Sequence, residues 1–213
     1  MIADPATSIV LATRNQGKVR ELAALLAPFK LTVLGLEAFP HIRDIEETGV
    51  TFAENALVKA SAVSLGTGLV AVADDSGLAV DFLGGVPGVY SARYSETPEC
   101  PATDEGNVRK LLAALAGVPQ AERTARFHCC MAACAPGGES IIAEGVWEGL
   151  IALAPSGTGG FGYDPVFFDP EKGKTAAAMR PEEKNSRSHR ARAVAALLLK
   201  WPAFQQKTLL ASG

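Results

Sequence analysis

Features of membrane and secreted proteins are scarce in this sequence of 213 residues. No apolar run approaches the roughly 18 residues that a membrane-spanning helix needs. The stretch Met1–Ile9 lacks the basic region and apolar core of a signal peptide. The 4 cysteines include no C-x-x-C pair, which is typical of reduced, buried thiols rather than of a disulfide framework. We therefore predict a cytoplasmic protein without a membrane partner.

The sequence also has no excess of basic residues, with 20 Lys and Arg against 23 Asp and Glu and a formal net charge of -3. Broad binding to nucleic acid needs a basic stripe that neutralises phosphates, so we predict no nucleic-acid partner. A local basic pocket for one anionic ligand is compatible with this balance. Hydrophobic residues make up 48% of the chain, which is enough for a buried core at this length, and we predict a single domain over residues 1–213.

Two glycine-rich patterns lack the context that their usual functions require. Residues 157–162 match G-x-G-x-x-G, but a dinucleotide site needs a helix to follow, and residues 163–168 are extended and contain a proline. Residues 173–175 (GKT) resemble the end of a P-loop, but Phe168 stands where the first glycine is required. The histidines are too far apart for a zinc helix motif, and no G-x-S-x-G pattern is present.

Hydrophobic periodicity predicts alternating strands and helices followed by longer strands. Strands are expected at 8–13, 31–36, 69–73, 124–135, 139–154 and 166–168, with 78–83 as a hairpin partner. Helices are expected at 19–26, 51–65, 103–116 and 182–201. Thr51 and Glu54 form a capping-box pattern at the start of the second helix. This order indicates an α/β protein with a mixed sheet.

The junction between the first strand and the first helix is a candidate anion site. The stretch Thr13–Lys18 lies there, and a helix N-terminus offers backbone N–H groups and a positive dipole end. Thr13 and Asn15 add neutral donors, and Lys18 adds a positive charge one turn into the helix. The alternative is an ordinary helix cap with a solvated lysine.

Carboxylates indicate a candidate Mg²⁺ site. Asp74 and Asp75 follow an uncharged strand, and ligands of open α/β sheets bind at the carboxyl ends of strands. Mg²⁺ uses one or two carboxylates together with substrate phosphates. Glu46 and Glu47 are candidates for a third carboxylate, and Lys59 lies four residues after Asn55 on the second helix. The alternatives are an Asp-Ser-Gly turn, a solvated acidic loop and an exposed helix lysine.

A second group of residues is suited to binding a base. In the stretch Phe161–Asp164 an aromatic ring for stacking adjoins a glycine that allows close approach of the backbone. Lys184, His189 and Arg190 form a basic cluster. A core aromatic in a turn and a solvated helix face are the alternatives. Donors, carboxylates and a stacking ring together are typical of a nucleoside triphosphate site with Mg²⁺.

Five ordered blocks between about Ile9 and Leu199 resemble the inosine triphosphate pyrophosphatases, which act on non-canonical purine nucleotides. The blocks are LATRNQGKVREL, EETGVTFAENALVKA, ADDSGLAVDFLGGVPGVYSARYS, GTGGFGYDPVFF and EEKNSRSHRARA. The resemblance implies an elongated two-lobed α/β structure in which a long curved mixed β-sheet is flanked by helices. It also implies an active-site cleft between the lobes and, in most members, a homodimer. The extension Met1–Thr7 precedes the region of resemblance.

The resemblance also implies a role for each candidate residue. Asp75 would accept the proton of the attacking water, and Glu47, Asp75 and the adjacent Asp74 would bind Mg²⁺. Residues 13–18 and Lys59 would bind the phosphates, and the residues around Phe161 would surround the base. The implied substrate-binding set is Thr13, Arg14, Asn15, Gln16, Gly17, Lys18, Lys59, Ser76, Phe161, Gly162, Tyr163, Asp164, Lys184, His189 and Arg190.

The activity implied by this family is Mg²⁺-dependent hydrolysis of ITP, dITP and XTP to the monophosphate and pyrophosphate, which cleanses the nucleotide pool. Backbone N–H groups of residues 161–164, with His189 and Arg190, are the expected donors to the 6-oxo group of the base. Two alternatives stay open: a catalytically inactive nucleotide-binding sensor, and a pyrophosphatase for modified pyrimidine nucleotides.

Overall fold

A computed structural model describes residues 8–29 and 31–211, so the extension Met1–Thr7 lies outside the described residues. Within them, the strands are β1 (Ser8–Leu11), β2 (Thr32–Leu34), β3 (Val70–Val80), β4 (Thr124–Cys134), β5 (Ser140–Ile151), β6 (Phe167–Asp169) and β7 (Lys174–Thr175). The α-helices are α1 (Gln16–Leu26), α2 (Phe52–Thr67), α3 (Asp104–Ala114), α4 (Pro181–Asn185) and α5 (His189–Ala211).

The strands form one open mixed sheet in the order β2-β1-β3-β4-β5-β6-β7. β1 is parallel to both β2 and β3, with Ile9 opposite Val33 and Val70. β6 is antiparallel to β5 and to β7. The predicted hairpin is confirmed, because β4 and β5 are neighbours and Ala135 N donates to the carbonyl oxygen of Glu139 at 2.9 Å. The predicted α/β class with a mixed sheet flanked by helices is confirmed.

The chain divides into two compact units. Unit 1 contains the described residues up to Asp75, residues 129–145, and the chain from Arg190 onward. Unit 2 contains residues 76–128 and 146–189. Strands β3, β4 and β5 each contribute residues to both units. The single domain over residues 1–213 stays a prediction.

Unit 1 has an apolar core on each face of its strands. On one face, Val72 belongs to a buried cluster with side chains of α1 and α5, such as Leu22 and Leu197. On the other face, Ala71 and Ala73 belong to a cluster formed with α2. Successive side chains of a strand point to opposite faces, so the uncharged run that begins β3 is explained by burial on both sides.

Unit 2 has its own core, in which α3 packs with the second half of β3 and with aromatic residues of β4 to β6. The ring centroid of Phe127 lies 4.4 Å from that of Phe167, and Trp147 lies 4.9 Å from Phe167. The indole Nε1 of Trp147 donates to Asp169 at 3.1 Å. The polar end of this buried ring is therefore satisfied, as burial requires.

Two predicted element boundaries are wrong. β3 continues past Ala73 to Val80, and residues 81–83 form a 3-10 turn instead of a hairpin partner. The predicted helix 182–201 is two helices, α4 and α5, and α5 continues through Pro202. Trp201 and Phe204 are buried in the core of unit 1, and this packing stabilises a helix that a proline ordinarily interrupts.

Among residues 8–29 and 31–211, no helix combines the length and the apolar composition that a membrane crossing requires.

Candidate active site

The two adjacent aspartates lie within β3, whereas the sequence predicted them after a strand. The neighbouring strand β1 nevertheless ends before the aspartates. Leu11, its last residue, pairs with Val72, and Ala12 N donates to Val72 O at 2.8 Å. Asp74 and Asp75 therefore lie just beyond the carboxyl end of β1. Their side chains alternate, so Asp74 shares the face of α1 and α5 while Asp75 shares the face of α2.

Asp74 is enclosed by cationic partners. Its side chain is 0% exposed, and Oδ2 accepts from Arg190 Nε at 2.9 Å and from Cys129 Sγ at 3.1 Å. Oδ1 forms an ion pair with Lys18. Burial alone would raise the pKa of Asp74, but the charges of Arg190 and Lys18 outweigh it and hold the pKa well below its ordinary value. These contacts suit a permanently charged counter-ion better than a proton acceptor or a metal ligand.

Asp75 has a different environment. Its Oδ1 accepts from Lys59 Nζ at 3.0 Å and its Oδ2 from Asn55 Nδ2 at 3.2 Å. Burial raises the pKa of Asp75, the charge of Lys59 opposes that rise, and the nearby carboxylate of Glu47 adds to it, so the net shift is upward. A carboxylate with a raised pKa is a better general base.

Lys59 joins the two carboxylates on this side. Its Nζ donates to Glu47 Oε1 at 2.8 Å, to Asp75 Oδ1 at 3.0 Å and to the backbone oxygen of Asp74 at 2.9 Å. Burial lowers the pKa of Lys59, but the charges of Asp75 and Glu47 outweigh it and the pKa is raised. The alternative of an exposed helix lysine is wrong, since Lys59 is 8% exposed.

The pair Glu47 and Asp75 is compatible with Mg²⁺ when substrate supplies the other ligands. Both carboxylates reach one ammonium group, so their oxygens converge on a small region. In residues 8–29 and 31–211, no group of three or more His, Cys, Asp or Glu side chains is arranged to hold a metal ion. Mg²⁺ ordinarily takes one or two carboxylates with waters and phosphates, and the donor set matches that pattern.

The start of α1 has the geometry of a helix cap, which was the alternative to the predicted anion site. Asn15 Oδ1 accepts from Gly17 N at 2.9 Å and from Lys18 N at 3.2 Å, while Thr13 Oγ1 accepts from Asn15 N at 3.2 Å. Arg14 bonds instead to Asp44 and to a backbone oxygen of the same loop. Lys18 is not a solvated lysine, because it pairs with Asp74. Gln16 is exposed and Gly17 is buried. The triphosphate role of this segment stays a prediction.

In unit 2, Asp164 organises the segment predicted to hold the base. Its Oδ2 accepts from Phe161 N at 2.9 Å and from Lys184 Nζ at 2.5 Å. Lys184 Nζ also lies 5.0 Å from the centre of the Phe161 ring, within cation–π range. Gly160 has a φ of 72°, and a Cβ there would lie 1.9 Å from Asp164 Oδ2. Glycine is therefore required at position 160, both because the Asp164 carboxylate leaves no room for a Cβ and because the backbone has a positive φ.

The expected donors to the base have other partners. Gly162 N donates to Asp104 Oδ2 at 2.7 Å, and Phe161 N is used by Asp164. Arg190 is 1% exposed and pairs in unit 1 with Asp74 and with Glu21 on α1. Phe161 N, Gly162 N and Arg190 therefore have partners within the protein, and base selection by these donors stays a prediction.

The remaining predicted residues of unit 2 are placed as follows. His189 is buried and stacks on Phe127, with ring centroids 4.6 Å apart. The hydroxyl of Tyr163 donates to the backbone oxygen of Ser91 at 2.9 Å, and burial raises the pKa of Tyr163. Ser76 is half-buried in β3. The stacked and buried rings fit the core alternative, and any contact with a base stays a prediction.

Sequence reasoning missed four residues that hold these side chains: Asn55, Glu21, Cys129 and Asp104. A signal existed for Asn55, because residues four apart share a helix face and Lys59 was already a candidate. No local pattern distinguishes the other three, since their partners are distant in sequence.

Comparison with known proteins assigns the family. A model of the Ham1 family matches residues 9–200. The chain belongs to the Ham1 family. The resemblance read from the five sequence blocks is thereby confirmed, over nearly the same range of residues.

Curated relatives of this Ham1-family protein carry one name. The dITP/XTP pyrophosphatase of Nitratidesulfovibrio vulgaris is 60% identical over 200 residues, which cover 92% of this chain and 97% of the relative. The dITP/XTP pyrophosphatase of Escherichia coli K12 is 50% identical over 192 residues, covering 89% and 95% of the two chains. The match therefore extends over almost the full length of both relatives.

Solved structures agree with the family assignment. A HAM1 protein from Coxiella burnetii superposes with a TM-score of 0.79 at 43% identity, covering 89% of this chain and 95% of that one. A nucleoside-triphosphatase / dITP/XTP pyrophosphatase from Mycobacterium abscessus gives a TM-score of 0.71 at 44% identity, covering 90% and 98%. The Ham1-family fold is thus shared by this chain.

Proposed function

We propose that this protein is a nucleoside triphosphate pyrophosphatase that hydrolyses dITP, XTP and ITP to the monophosphate and pyrophosphate. The observation that carries the proposal is the Asp75–Lys59–Glu47 cluster in a chain whose relatives are named dITP/XTP pyrophosphatases. The cluster provides a proton acceptor and a paired carboxylate, and the relatives' names supply the substrate class. Removal of such nucleotides would cleanse the nucleotide pool.

Direct attack by water is the step that the side chains support. Water attacks the α-phosphorus, Asp75 accepts the proton that the water loses, and the bond from the α-phosphorus to the bridging oxygen breaks as pyrophosphate leaves. The three buried cysteines are poor nucleophiles, because the thiolate is the reactive form. Burial raises the pKa of Cys130 to about 12 and that of Cys134 to about 11. Burial also raises the pKa of Cys129, well above its ordinary value.

Positive charge for the leaving pyrophosphate comes from lysines of unit 1. Lys59 is charged because its pKa is raised, and Lys18 lies at the start of α1 beside Asp74. The N-terminus of α1 adds a positive dipole end that favours phosphate. Mg²⁺, held by Glu47 and Asp75, would neutralise phosphate charge and polarise the phosphoryl oxygens.

The Phe161 ring is proposed as the stacking surface for the base. The ring is half-buried, and Lys184 lies against it. Stacking does not distinguish one purine from another. Phe161 is therefore expected to support binding of every purine nucleotide, and selection against ATP and GTP requires other contacts.

A screen of pyrophosphate release across common and deaminated nucleotides tests the proposed function. We expect release from dITP, XTP and ITP with Mg²⁺ present, and little release from ATP or GTP. Chromatography should show IMP from ITP, whereas IDP and orthophosphate would contradict cleavage between the α and β phosphates. Binding of ITP without turnover would favour the inactive sensor, and preferential release from modified pyrimidine nucleotides would favour the third hypothesis.

The assembly state and the location of the protein stay predictions. The family resemblance implies a homodimer, and the pattern of cysteines predicts the cytoplasm. Light scattering on the purified protein distinguishes a monomer of 22.2 kDa from a particle of twice that mass.

A further inference from the structure

Asn55 connects two parts of the candidate active site. It lies on α2 and is 0% exposed. Its Oδ1 accepts from Gly49 N at 2.7 Å, and its Nδ2 donates to Asp75 Oδ2 at 3.2 Å. One buried amide therefore bonds both to the loop before α2 and to the β3 carboxylate.

The orientation of this amide follows from its partners. The N–H of Gly49 can only donate, so it must face the amide oxygen of Asn55. The NH₂ group is then left to face Asp75, where it donates to Oδ2. Lys59, four residues later on the same helix face, holds Oδ1. With one donor on each oxygen, the plane of the Asp75 carboxylate is fixed.

The same bonds fix the loop that carries Glu47. Gly49 lies two residues after Glu47, and a Cβ at Gly49 would lie 2.7 Å from Asn55 Oδ1, which shows how closely the loop approaches α2. The next two backbone N–H groups, of Val50 and Thr51, donate to Glu54 Oε2 at 2.8 and 3.1 Å. The loop backbone is thus held from Gly49 onward, and the Glu47 side chain is held by Lys59.

We propose that Asn55 is a positioning residue that sets the orientation of Asp75 relative to Glu47. The proposal rests on the proposed function, in which Asp75 accepts a proton and both carboxylates hold Mg²⁺. Asn55 touches neither substrate nor metal in this assignment. It acts through the carboxylate of Asp75, as residues that hydrogen-bond to metal ligands do.

The main test is Asn55→Ala, which removes both bonds. We expect kcat to fall by about 10- to 100-fold, the usual effect of losing a residue that orients a metal ligand, with a smaller change in KM. The affinity for Mn²⁺ alone, measured by electron paramagnetic resonance without nucleotide, should weaken by a similar factor. Asn55→Asp keeps the acceptor for Gly49 but faces Asp75 with a second carboxylate, and its kcat should fall as well.

Ser64→Ala is the matched control. Ser64 is also buried on α2, and its Oγ donates to Leu69 O at 2.8 Å, away from the carboxylates. This variant should lose stability in thermal unfolding while kcat and Mn²⁺ affinity stay near the wild-type values. If Ser64→Ala lowers kcat as much as Asn55→Ala does, the effect is structural and the proposal is overturned.

The outcomes separate this proposal from the proposed function. A folded Asn55→Ala enzyme with kcat within about threefold of wild type overturns the positioning role. If Asn55→Ala does not fold, Asn55→Asp replaces it, and a kcat of that variant within about threefold of wild type overturns the positioning role. If wild type releases no pyrophosphate from any nucleotide, the proposed function fails. The positioning role of Asn55 is then tested by Mn²⁺ affinity alone, and a variant within about threefold of wild type overturns it.

Discussion

At the scale of single residues, Asp74 and Asp75 show how neighbours in sequence acquire opposite properties. Asp74 faces Arg190 and Lys18, and its pKa is held well below the ordinary value. Asp75 forms its ion pair with Lys59 and has the carboxylate of Glu47 nearby. Burial and the charge of Glu47 outweigh the charge of Lys59, so the pKa of Asp75 is raised. Because strand side chains alternate between faces, one carboxylate is a buried counter-ion, and the next has the raised pKa that suits the proposed proton acceptor.

Asp75→Asn is expected to abolish most of the activity. The change keeps the shape but removes the charge and the proton acceptor, and loss of a general base costs about 10²- to 10⁴-fold in rate. Steady-state pyrophosphate release from dITP and XTP measures it. A variant that retains more than about a tenth of wild-type turnover would remove Asp75 from the proton-accepting role.

The cysteines should differ sharply in reactivity. Cys100 is exposed, whereas Cys129, Cys130 and Cys134 are buried and their pKa values are raised. Since the thiolate is the reactive form, we expect one fast equivalent of a thiol reagent per native chain at pH 8, and the rest only on unfolding. Cys100→Ser should remove the fast phase, and a fast equivalent that remains in that variant would contradict the buried positions of the other three cysteines.

At the scale of elements, the starts of α1, α2 and α3 are specified by cap residues next to them in the sequence. Thr51 caps α2 in a complete capping box with Glu54, and Asn15 and Thr103 cap α1 and α3. The cap of α2 has a functional consequence, because α2 carries Asn55 and Lys59, which hold Asp75. The stability of this helix start is therefore linked to the geometry of the candidate site.

Thr51→Ala should destabilise the protein by about 0.5–2 kcal/mol, the cost of losing a side-chain N-cap. The physical reason is the loss of the bond that Thr51 Oγ1 accepts from Glu54 N at 3.1 Å. Urea unfolding measures the difference. Thr97→Ala, in an exposed loop, is the control and should change stability by no more than about 0.5 kcal/mol; equal losses in both variants would argue against the capping role.

At the scale of the whole molecule, stability depends on apolar cores in both units and on buried ion pairs within them. Unit 1 contains Asp74 with Arg190 and Lys18, and unit 2 contains Asp164 with Lys184. Removal of one partner of a buried pair leaves an uncompensated charge. The pair formed by Asp74 therefore links the global unfolding free energy to pH, because the pKa of Asp74 is lowered in the folded protein.

Asp74→Asn should lower the unfolding free energy at pH 7 by about 3–5 kcal/mol, the cost of breaking a buried pair. The folded-state pKa of Asp74 is depressed, so its contribution is complete above the unfolded-state pKa of about 3.9 and is lost as pH falls toward the folded-state value. Urea unfolding from pH 7 to pH 3 should show a constant gap between wild type and variant down to about pH 5, narrowing below about pH 4. A gap that widens with acid would contradict this assignment.

Local features of this protein follow from residues that are close together in the sequence. Apolar runs and cap residues predicted β1, β2, β4, β5, β6, the first part of β3, the starts of α2 and α3, and the β4–β5 hairpin, whereas β7 was not predicted. The five ordered sequence blocks were sufficient for the family resemblance. The candidates Asp75, Glu47 and Lys59 lie together in the structure, and their roles stay predictions.

Properties that depend on partners distant in sequence are set by the three-dimensional arrangement of the chain. Whether Asp74 or Asp75 has the raised pKa depends on Arg190, 116 residues away from Asp74 along the chain, and on which face of β3 each carboxylate occupies. The continuation of β3 through two charged residues, and of α5 through Pro202, follows from ion pairs and burial that no local pattern contains. The tertiary structure likewise bonds Arg190 to Asp74 and Glu21, because long-range electrostatics and packing, rather than helix periodicity, select its partners.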